Sequence, residues 1–341
     1  MLATAVRRLA SQTFAEGDMV IVRECARGGK AALIGPLFPS DHYATKRGNI
    51  AHSQIIGQQA RSRVSAQVRA GTGGQYMVQH PTLDEYVRLC KRQCTPIYPK
   101  DASAVVAMLD LQPGDRVLEA GTGNAGLTMH MARAVGAQGR VHTVERNQAT
   151  ADHAQLLVQR FQRGVLLPTI AFYQGRKLGD AIGEIAESID PDLRDKLAAC
   201  GNDDPEALWR QHGSLVAPLF DAVALDMPMP WTELPRVFGF LKTDRFAVCY
   251  LPSITQVAEL VRSCARWPLL VEDVVEVQWR AWDVRPAAVR SPDPAAAPGD
   301  DAMVCRPTHT PTGHTAFLVR LRKCAASVAP IERDIEQIEP K

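Results

Sequence analysis

The sequence predicts an α/β chain: a doubly wound, mostly parallel sheet preceded by a small β-rich N-terminal domain. Three observations carry this expectation. From residue 103 to 250, strand-length apolar runs alternate with helix-length segments, as repeated βαβ units require. A glycine-rich turn, Gly121-Thr-Gly-Asn-Ala-Gly126, falls between one such strand and the helix after it. Before residue 81 the pattern is different, with short strand-like runs broken by glycine and proline turns. A chain of 341 residues is long enough to give each part its own core.

In chain order, residues 19–23, 31–34 and 75–78 read as strands, separated by Gly29, Pro36, Pro39 and the glycines at 71–74. Together they make residues 15–80 a β-rich unit. Thr82 followed by Glu85 reads as a helix N-cap with its acid three residues on, opening a helix through Tyr86, Val87 and Leu89. The larger domain spans 81–323. Its strands are expected at 116–120, 140–144, 169–173, 221–225 and 246–251, and its helices at 127–135, near 150–160 and at 234–241. Residues 270–279 and 315–320 supply the last strands of the same sheet. An acid- and alanine-rich stretch at 179–214 reads as an inserted helical excursion. Residues 287–301, with Pro292, Pro294 and Pro298, read as a mobile loop, and 324–341 as a tail.

Charge is distributed unevenly. The whole chain carries a net charge of only +2, yet residues 1–100 hold 14 Lys and Arg against 6 Asp and Glu. Such asymmetry points the N-terminal part toward a polyanion. Residues 1–14 contain Arg7 and Arg8, hydroxyl residues and no acid, the composition of a mitochondrial transit peptide. The expected location is therefore the mitochondrial matrix; a frayed N-terminus in the cytoplasm or nucleus is the alternative. No apolar run approaches the ~20 residues that span a bilayer, so no membrane association is expected. The eight cysteines are scattered, and Cys90 and Cys94 lack a second pair to complete a zinc set, so no metal is expected either.

The glycine turn fits G-x-G-x-x-G in the required strand-to-helix context, and Glu145 ends the next strand, where a carboxylate can accept from both ribose hydroxyls. Those two features alone fit NAD equally well. Glu119, just before the glycines, tilts the balance. A negative charge there repels a pyrophosphate and suits a cofactor carrying a sulfonium and an ammonium group. Asp226, followed by Met227-Pro-Met-Pro-Trp231, ends the fourth strand at the carboxyl edge, where open α/β sheets bind their ligands.

The segment Glu-Ala-Gly-Thr-Gly at 119–123 resembles the first motif of class I methyltransferases. Leu-Asp-Met-Pro-Met-Pro-Trp at 225–231 resembles the L-D-x-P-x-P-W motif of the tRNA adenine-N1 methyltransferases that modify adenine 58 in the T-loop. Residues 46–52 with 55–57, 95–101, 252–256 and 313–318 are similar to further segments of that family, in the same order, so the resemblance runs from about residue 15 to 323. It implies the class I methyltransferase fold, S-adenosyl-L-methionine as cofactor, tRNA as substrate and a base swung out of the stack. Adenine N1 is itself a nucleophile, so alignment is the protein's main task. Asp226 is expected to accept a hydrogen bond from the adenine amine and to help remove the surplus proton.

The resemblance places Ile97, Tyr98, Glu119, Gly121, Thr122, Gly123, Asn124, Ala125, Gly126, Leu127, Glu145, Arg146, Gln174 and Asp226 around the cofactor. Gln174 enters because the family usually carries an acid after the third strand, where this chain reads Phe172-Tyr-Gln-Gly-Arg176. For tRNA the candidates are Lys46, Arg47, His52, Arg61, Arg63, Arg69, Lys91, Arg92, Pro228, Trp231 and His314. Trp231 either stacks on the base or packs on the next helix; His314 is either structural or tRNA-facing. Family members assemble as tetramers, which implies a homo-oligomer or a heteromer with a related subunit that has lost its cofactor motif. Because Glu119, Gly121, Gly123, Glu145 and Asp226 are all present, the chain reads as the catalytic type. A tRNA-binding subunit without activity and an NAD-linked oxidoreductase are the alternatives.

Overall fold

The computed structural model describes residues 13–26, 29–69, 71–189, 218–286, 303–308 and 313–325. The N-terminal sheet holds six antiparallel strands in the order β2-β1-β6-β5-β4-β3: β1 (Val20–Glu24), β2 (Ala31–Ile34), β3 (His42–Thr45), β4 (Gly48–Ala51), β5 (Arg63–Gln67) and β6 (Thr72–Gln79). The three strands expected from sequence are there. β3 to β5 carry no clear sequence signal because they are short, rich in polar residues and bury at most one face. Phe14, Val20, Leu37, Ile50, Ile55, Val64 and Val78 form the core beneath this sheet. Phe14 is 1% exposed, so the residue expected to end a leader belongs to the folded core; residues 1–12 lie outside the described ones.

The N-terminal sheet is tied to the rest of the chain by ion pairs, Arg23 to Glu85 at 3.4 Å and Arg163 to Asp18 at 2.7 Å. Glu85 sits in α1 (Leu83–Leu89), whose Thr82 and Glu85 close the capping box expected from sequence. Next in the chain is α2 (Pro99–Met108).

The larger unit alternates as expected: β7 (Arg116–Ala120), α3 (Gly126–Val135), β8 (Arg140–Glu145), α4 (Gln148–Arg160), β9 (Ile170–Gln174), α5 (Leu178–Ile189), β10 (Phe220–Leu225), α6 (Leu234–Phe238), β11 (Leu241–Leu251) and α7 (Ile254–Cys264). Then come β12 (Leu269–Glu276), the separate hairpin β13 (Trp282–Pro286) with β14 (Met303–Pro307), and β15 (Phe317–Lys323). The sheet order is β12-β15-β11-β10-β7-β8-β9, parallel from β9 to β11 and antiparallel at β15 and β12. Alternate residues of each central strand feed two cores. Val117, Val141 and Ala222 face α1 to α4, whereas Leu118, Val144 and Val223 face α5 to α7. Burial on both faces is what a doubly wound sheet demands.

Chain order reverses between β7 and β10, opening a crevice at their carboxyl ends. One sequence boundary shifts. Residues 178–189, expected mostly as an excursion, are the crossover helix α5; Leu178, Ala181, Ile182, Ile185 and Ala186 are buried in the second core. Residues 190–217 lie outside the described ones, as do 287–302 within the stretch expected as a loop between β13 and β14.

Candidate active site

The turn after β7 is locked into the crevice by backbone bonds. Gly121 N–H donates to Val144 O at 3.0 Å and Asp226 N–H to Ala120 O at 2.9 Å. Gly121 has φ +96°, and a Cβ there would collide with the Asp226 carbonyl, so the position requires glycine on both counts. Gly123 N–H donates to Glu145 Oε2 at 3.2 Å and Asn147 N–H to Glu145 Oε1 at 2.9 Å. The Glu145 carboxylate is thereby fixed with acceptor capacity left on both oxygens, as ribose hydroxyls need.

Around this floor lies a cleft of about 790 Å³, lined by Ala120, Gly121, Val144, Glu145, Arg146, residues 176–180, Asp226, Met227, Pro228, Glu233 and Arg236. Of the residues expected at the cofactor, Gly121, Glu145, Arg146 and Asp226 line it directly. Others shape the walls. Thr122 Oγ1 bonds Thr143 Oγ1 at 2.6 Å, and Asn124 holds the 93–94 backbone, accepting from Gln93 N–H at 3.2 Å and donating to Cys94 O. Ala125 caps α3 with φ +56°; Gly126 lets Ile97 O come close, and Ile97 and Leu127 are core residues. Tyr98 is half-buried at the start of α2, its hydroxyl accepting from Arg92 at 3.2 Å.

Three sequence assignments need correction. Glu119 is 1% exposed and accepts from Thr128 Oγ1 at 2.6 Å, so it lies under the floor rather than on it. Gln174 donates to Gln155 at 2.6 Å and accepts from Gln148 at 3.1 Å, which occupies its carboxamide away from the lining. An acid that does line the cleft stands six residues further on: Asp180, in the first turn of α5. Its signal was the apolar spacing 178, 181, 182, 185, 186, which marks a helix starting at the cleft. Third, His52 is buried and accepts from Phe38 N–H at 3.2 Å, with burial holding its pKa down, so it braces the small sheet instead of facing RNA.

Electrostatics decide what the cleft accepts. Burial, with Asp226 and Glu145 nearby, raises the Glu119 carboxyl to about 8, and burial with Glu145 raises Asp226 to about 7. Arg176 and Arg236 are paired with Glu184 and Glu233 and do not neutralise this group. Glu145 and Asp226 in the cleft, with Glu119 beneath it, fit a cationic ligand carrying sulfonium and ammonium, and disfavour a pyrophosphate. Among the described residues no group of three or more metal-ligating side chains is placed to hold a metal, and no helix is long and apolar enough to cross a membrane.

On the acceptor side, Pro228 is exposed at the rim, its carbonyl accepting from Gln256 at 2.9 Å. Trp231 is half-buried and packs against the second core, as Met227 of the cleft lining does. His314 bridges Glu276 at 2.7 Å and Pro252 O at 3.0 Å, holding the end of β12 to the turn after β11. Lys46, Arg47, Arg61, Arg63, Arg69, Lys91 and Arg92 are all exposed; Arg47 pairs with Glu24 at 3.3 Å and Arg61 bonds Gln79 at 2.8 Å. Sequence reasoning missed Met227, a variable position of the 225–231 motif, and Glu233 and Arg236, which a short helix contributes without a motif.

Residues 76–174 match the family described as tRNA methyltransferase complex GCD14 subunit. The tRNA (adenine(58)-N(1))-methyltransferase TrmI of Thermus thermophilus is 36% identical over 303 residues, covering 88% of this chain and 96% of that protein. The tRNA (adenine(58)-N(1))-methyltransferase catalytic subunit TRM61 of Candida albicans is 25% identical, over 73% of this chain and 64% of that protein. Among solved structures, a SAM-dependent O-methyltransferase from Thermotoga maritima superposes with a TM-score of 0.69 at 21% identity, covering 92% and 96% of the two chains. The tRNA (m1A58) methyltransferase TrmI from Aquifex aeolicus does so at 0.62 and 23% identity, covering 92% and 99%. These two superpositions establish the class I methyltransferase fold.

Proposed function

The chain belongs to the tRNA (adenine(58)-N(1))-methyltransferase family, and from that premise we propose that it transfers methyl from S-adenosylmethionine to N1 of the T-loop adenine. The observation that carries the reading is the junction of Gly121 and Asp226, where the cofactor floor and the acceptor carboxylate share one backbone contact.

S-adenosylmethionine supplies a methyl group made electrophilic by its positive sulfur. Glu145 would hold the ribose hydroxyls, Asp180 and Leu178 border the cleft, and Glu145 and Asp226, with Glu119 beneath them, would balance the positive charge. Asp226 accepts from the adenine amine, which directs the N1 lone pair at the methyl carbon. Methylated adenine is cationic, and the Asp226 carboxylate stabilises that charge as it develops.

The reading extends to a catalytic subunit acting in the mitochondrial matrix, supported by the intact Glu119, Gly121, Gly123, Glu145 and Asp226 and by the acid-free residues 1–14. It also extends to a homotetramer, or a heteromer with a related non-catalytic subunit. Its support is the exposed apolar surface at and beside the hairpin, with Trp279, Trp282, Val284 and Met303 each at least half exposed. Purified protein, S-adenosylmethionine and mitochondrial tRNA should yield N1-methyladenine at position 58, mapped by primer-extension stops and mass spectrometry. A product elsewhere, or none, sinks the reading. Light scattering of the same preparation reads the assembly.

A further inference from the structure

The turn that follows Asp226 is stiff, yet its middle has no means of bonding itself in place. At its start Asp226 N–H donates to Ala120 O at 2.9 Å. At its end Met229 O accepts from Thr232 N–H at 3.2 Å and from Thr232 Oγ1 at 2.8 Å. Between these points Pro228 has no N–H to offer, nor has Pro230, and both rings fix φ. Where the middle of the turn stands must be set by a donor from another part of the chain. Pro228 lines the cleft two residues beyond Asp226, so this placement shapes the acceptor wall.

The donor is Gln256. Its Nε2 donates to Pro228 O at 2.9 Å, across 28 residues of chain. Its Oε1 accepts from Ser253 N–H at 3.0 Å, one half of the capping box that opens α7, while Ser253 Oγ caps the first turn in return. A glutamate would close that box equally well, but a carboxylate cannot donate to a carbonyl. The amide therefore serves a purpose beyond capping.

Strand pairing brings the two segments together. Leu225 lies opposite Cys249, so β10 and β11 end side by side at the carboxyl edge. The Gln256 side is itself anchored. A carbonyl can only accept, so His314 Nε2 donates to Pro252 O at 3.0 Å, just before the box, and Nδ1 meets Glu276 at 2.7 Å. Next to it, Thr315 Oγ1 donates to Asp101 Oδ2 at 2.8 Å and accepts from Lys100 Nζ at 2.5 Å. That ion pair is buried, with Lys100 2% and Asp101 0% exposed. Contacts thus run from the core through Thr315, His314, Pro252 and Gln256 to the middle of the acceptor turn.

We propose that Gln256 is a positioning residue, whose bond to Pro228 O fixes the turn after Asp226 and with it the place of the target base before the methyl group. The proposal rests on the adenine-N1 reading above and deepens it. Acting through Pro228, Gln256 governs turnover rather than cofactor binding.

The test separates the two bonds of one side chain. Gln256→Glu keeps the cap and removes the donor. Its melting temperature should hold, while single-turnover methylation at saturating S-adenosylmethionine and tRNA slows about tenfold, within the roughly 100-fold that a ~1 Å misplacement costs. KM for tRNA and the calorimetric cofactor Kd should stay within about twofold, as expected for an interaction that matters only in the transition state. Gln256→Met, uncharged and of similar length, should slow the reaction as much, which distinguishes the lost donor from the added charge. Ser253→Ala weakens the cap alone, so it should lower the melting temperature and leave the rate within about twofold. A wild-type rate in Gln256→Glu or Gln256→Met, or equal slowing in Ser253→Ala, overturns the positioning role and leaves Gln256 a helix cap. Wild-type protein that leaves adenine N1 unmethylated overturns the adenine reading itself.

Discussion

The donor half of the cleft is built from β7, the turn at 121–126 and the end of β8, a continuous stretch of chain. The acceptor half is gathered from Tyr98 to Asp101, Asp226 to Pro230, Tyr250 to Pro252, Val277 and Thr315, which only the sheet brings together. The donor half is held by backbone hydrogen bonds and glycine dihedrals. The acceptor half is held largely by side chains, including a buried ion pair. Changes in the first should therefore appear as cofactor affinity, and changes in the second as turnover and choice of base.

Asp226→Ala gives the largest separation of the two. Its kcat in single-turnover methylation should fall about 100-fold or more, as loss of a general acid–base group does, while the cofactor Kd in calorimetry stays within about threefold. A large rise in Kd would show that the halves are not separable there. Gly121→Ala attacks the point where they touch. The added methyl meets the Asp226 carbonyl at a dihedral that costs about 1–3 kcal/mol, so cofactor affinity should drop more than about tenfold with a lowered melting temperature. Because the obstruction is Asp226 itself, kcat should fall as well.

The pH profile sharpens the comparison next. Asp226 is raised to about 7, so its carboxylate is the dominant form only above that value, and kcat/KM should fall about tenfold per pH unit below it. An unchanged profile in Asp226→Asn that retains measurable activity would assign the titration elsewhere. Stability runs the opposite way. Asp226 and Glu119 keep their protons in the folded state after the unfolded chain has lost them, so their contribution is full below the ordinary carboxylate range. It is lost as pH rises through about 7 and 8, and the ligand-free protein should melt lower across that window. The smallest effect is expected from Gln174→Ala, within about twofold in cofactor Kd, since its amide is engaged by Gln148 and Gln155; Asp180→Asn should cost more.

Sequence alone determined the βαβ alternation, the glycine turn and the two strand-end acids Glu145 and Asp226, because each arises from local dihedral limits and short-range periodicity. The same locality explains what it misjudged. Glu119 carries the family's acid, yet whether that carboxylate faces a ligand or Thr128 depends on how α3 packs over β7. Asp180 rather than Gln174 lines the cleft because strand length and the start of α5 fix which of them reaches it. His52 is buried and Trp231 half-buried against the second core, a matter of packing that no spacing announces. Only the tertiary structure could place Lys100, Asp101 and Thr315 together, since β15 is antiparallel between β11 and β12 and carries Thr315 back to the start of α2. Local chemistry wrote the donor half of this protein; long-range strand pairing made the acceptor half.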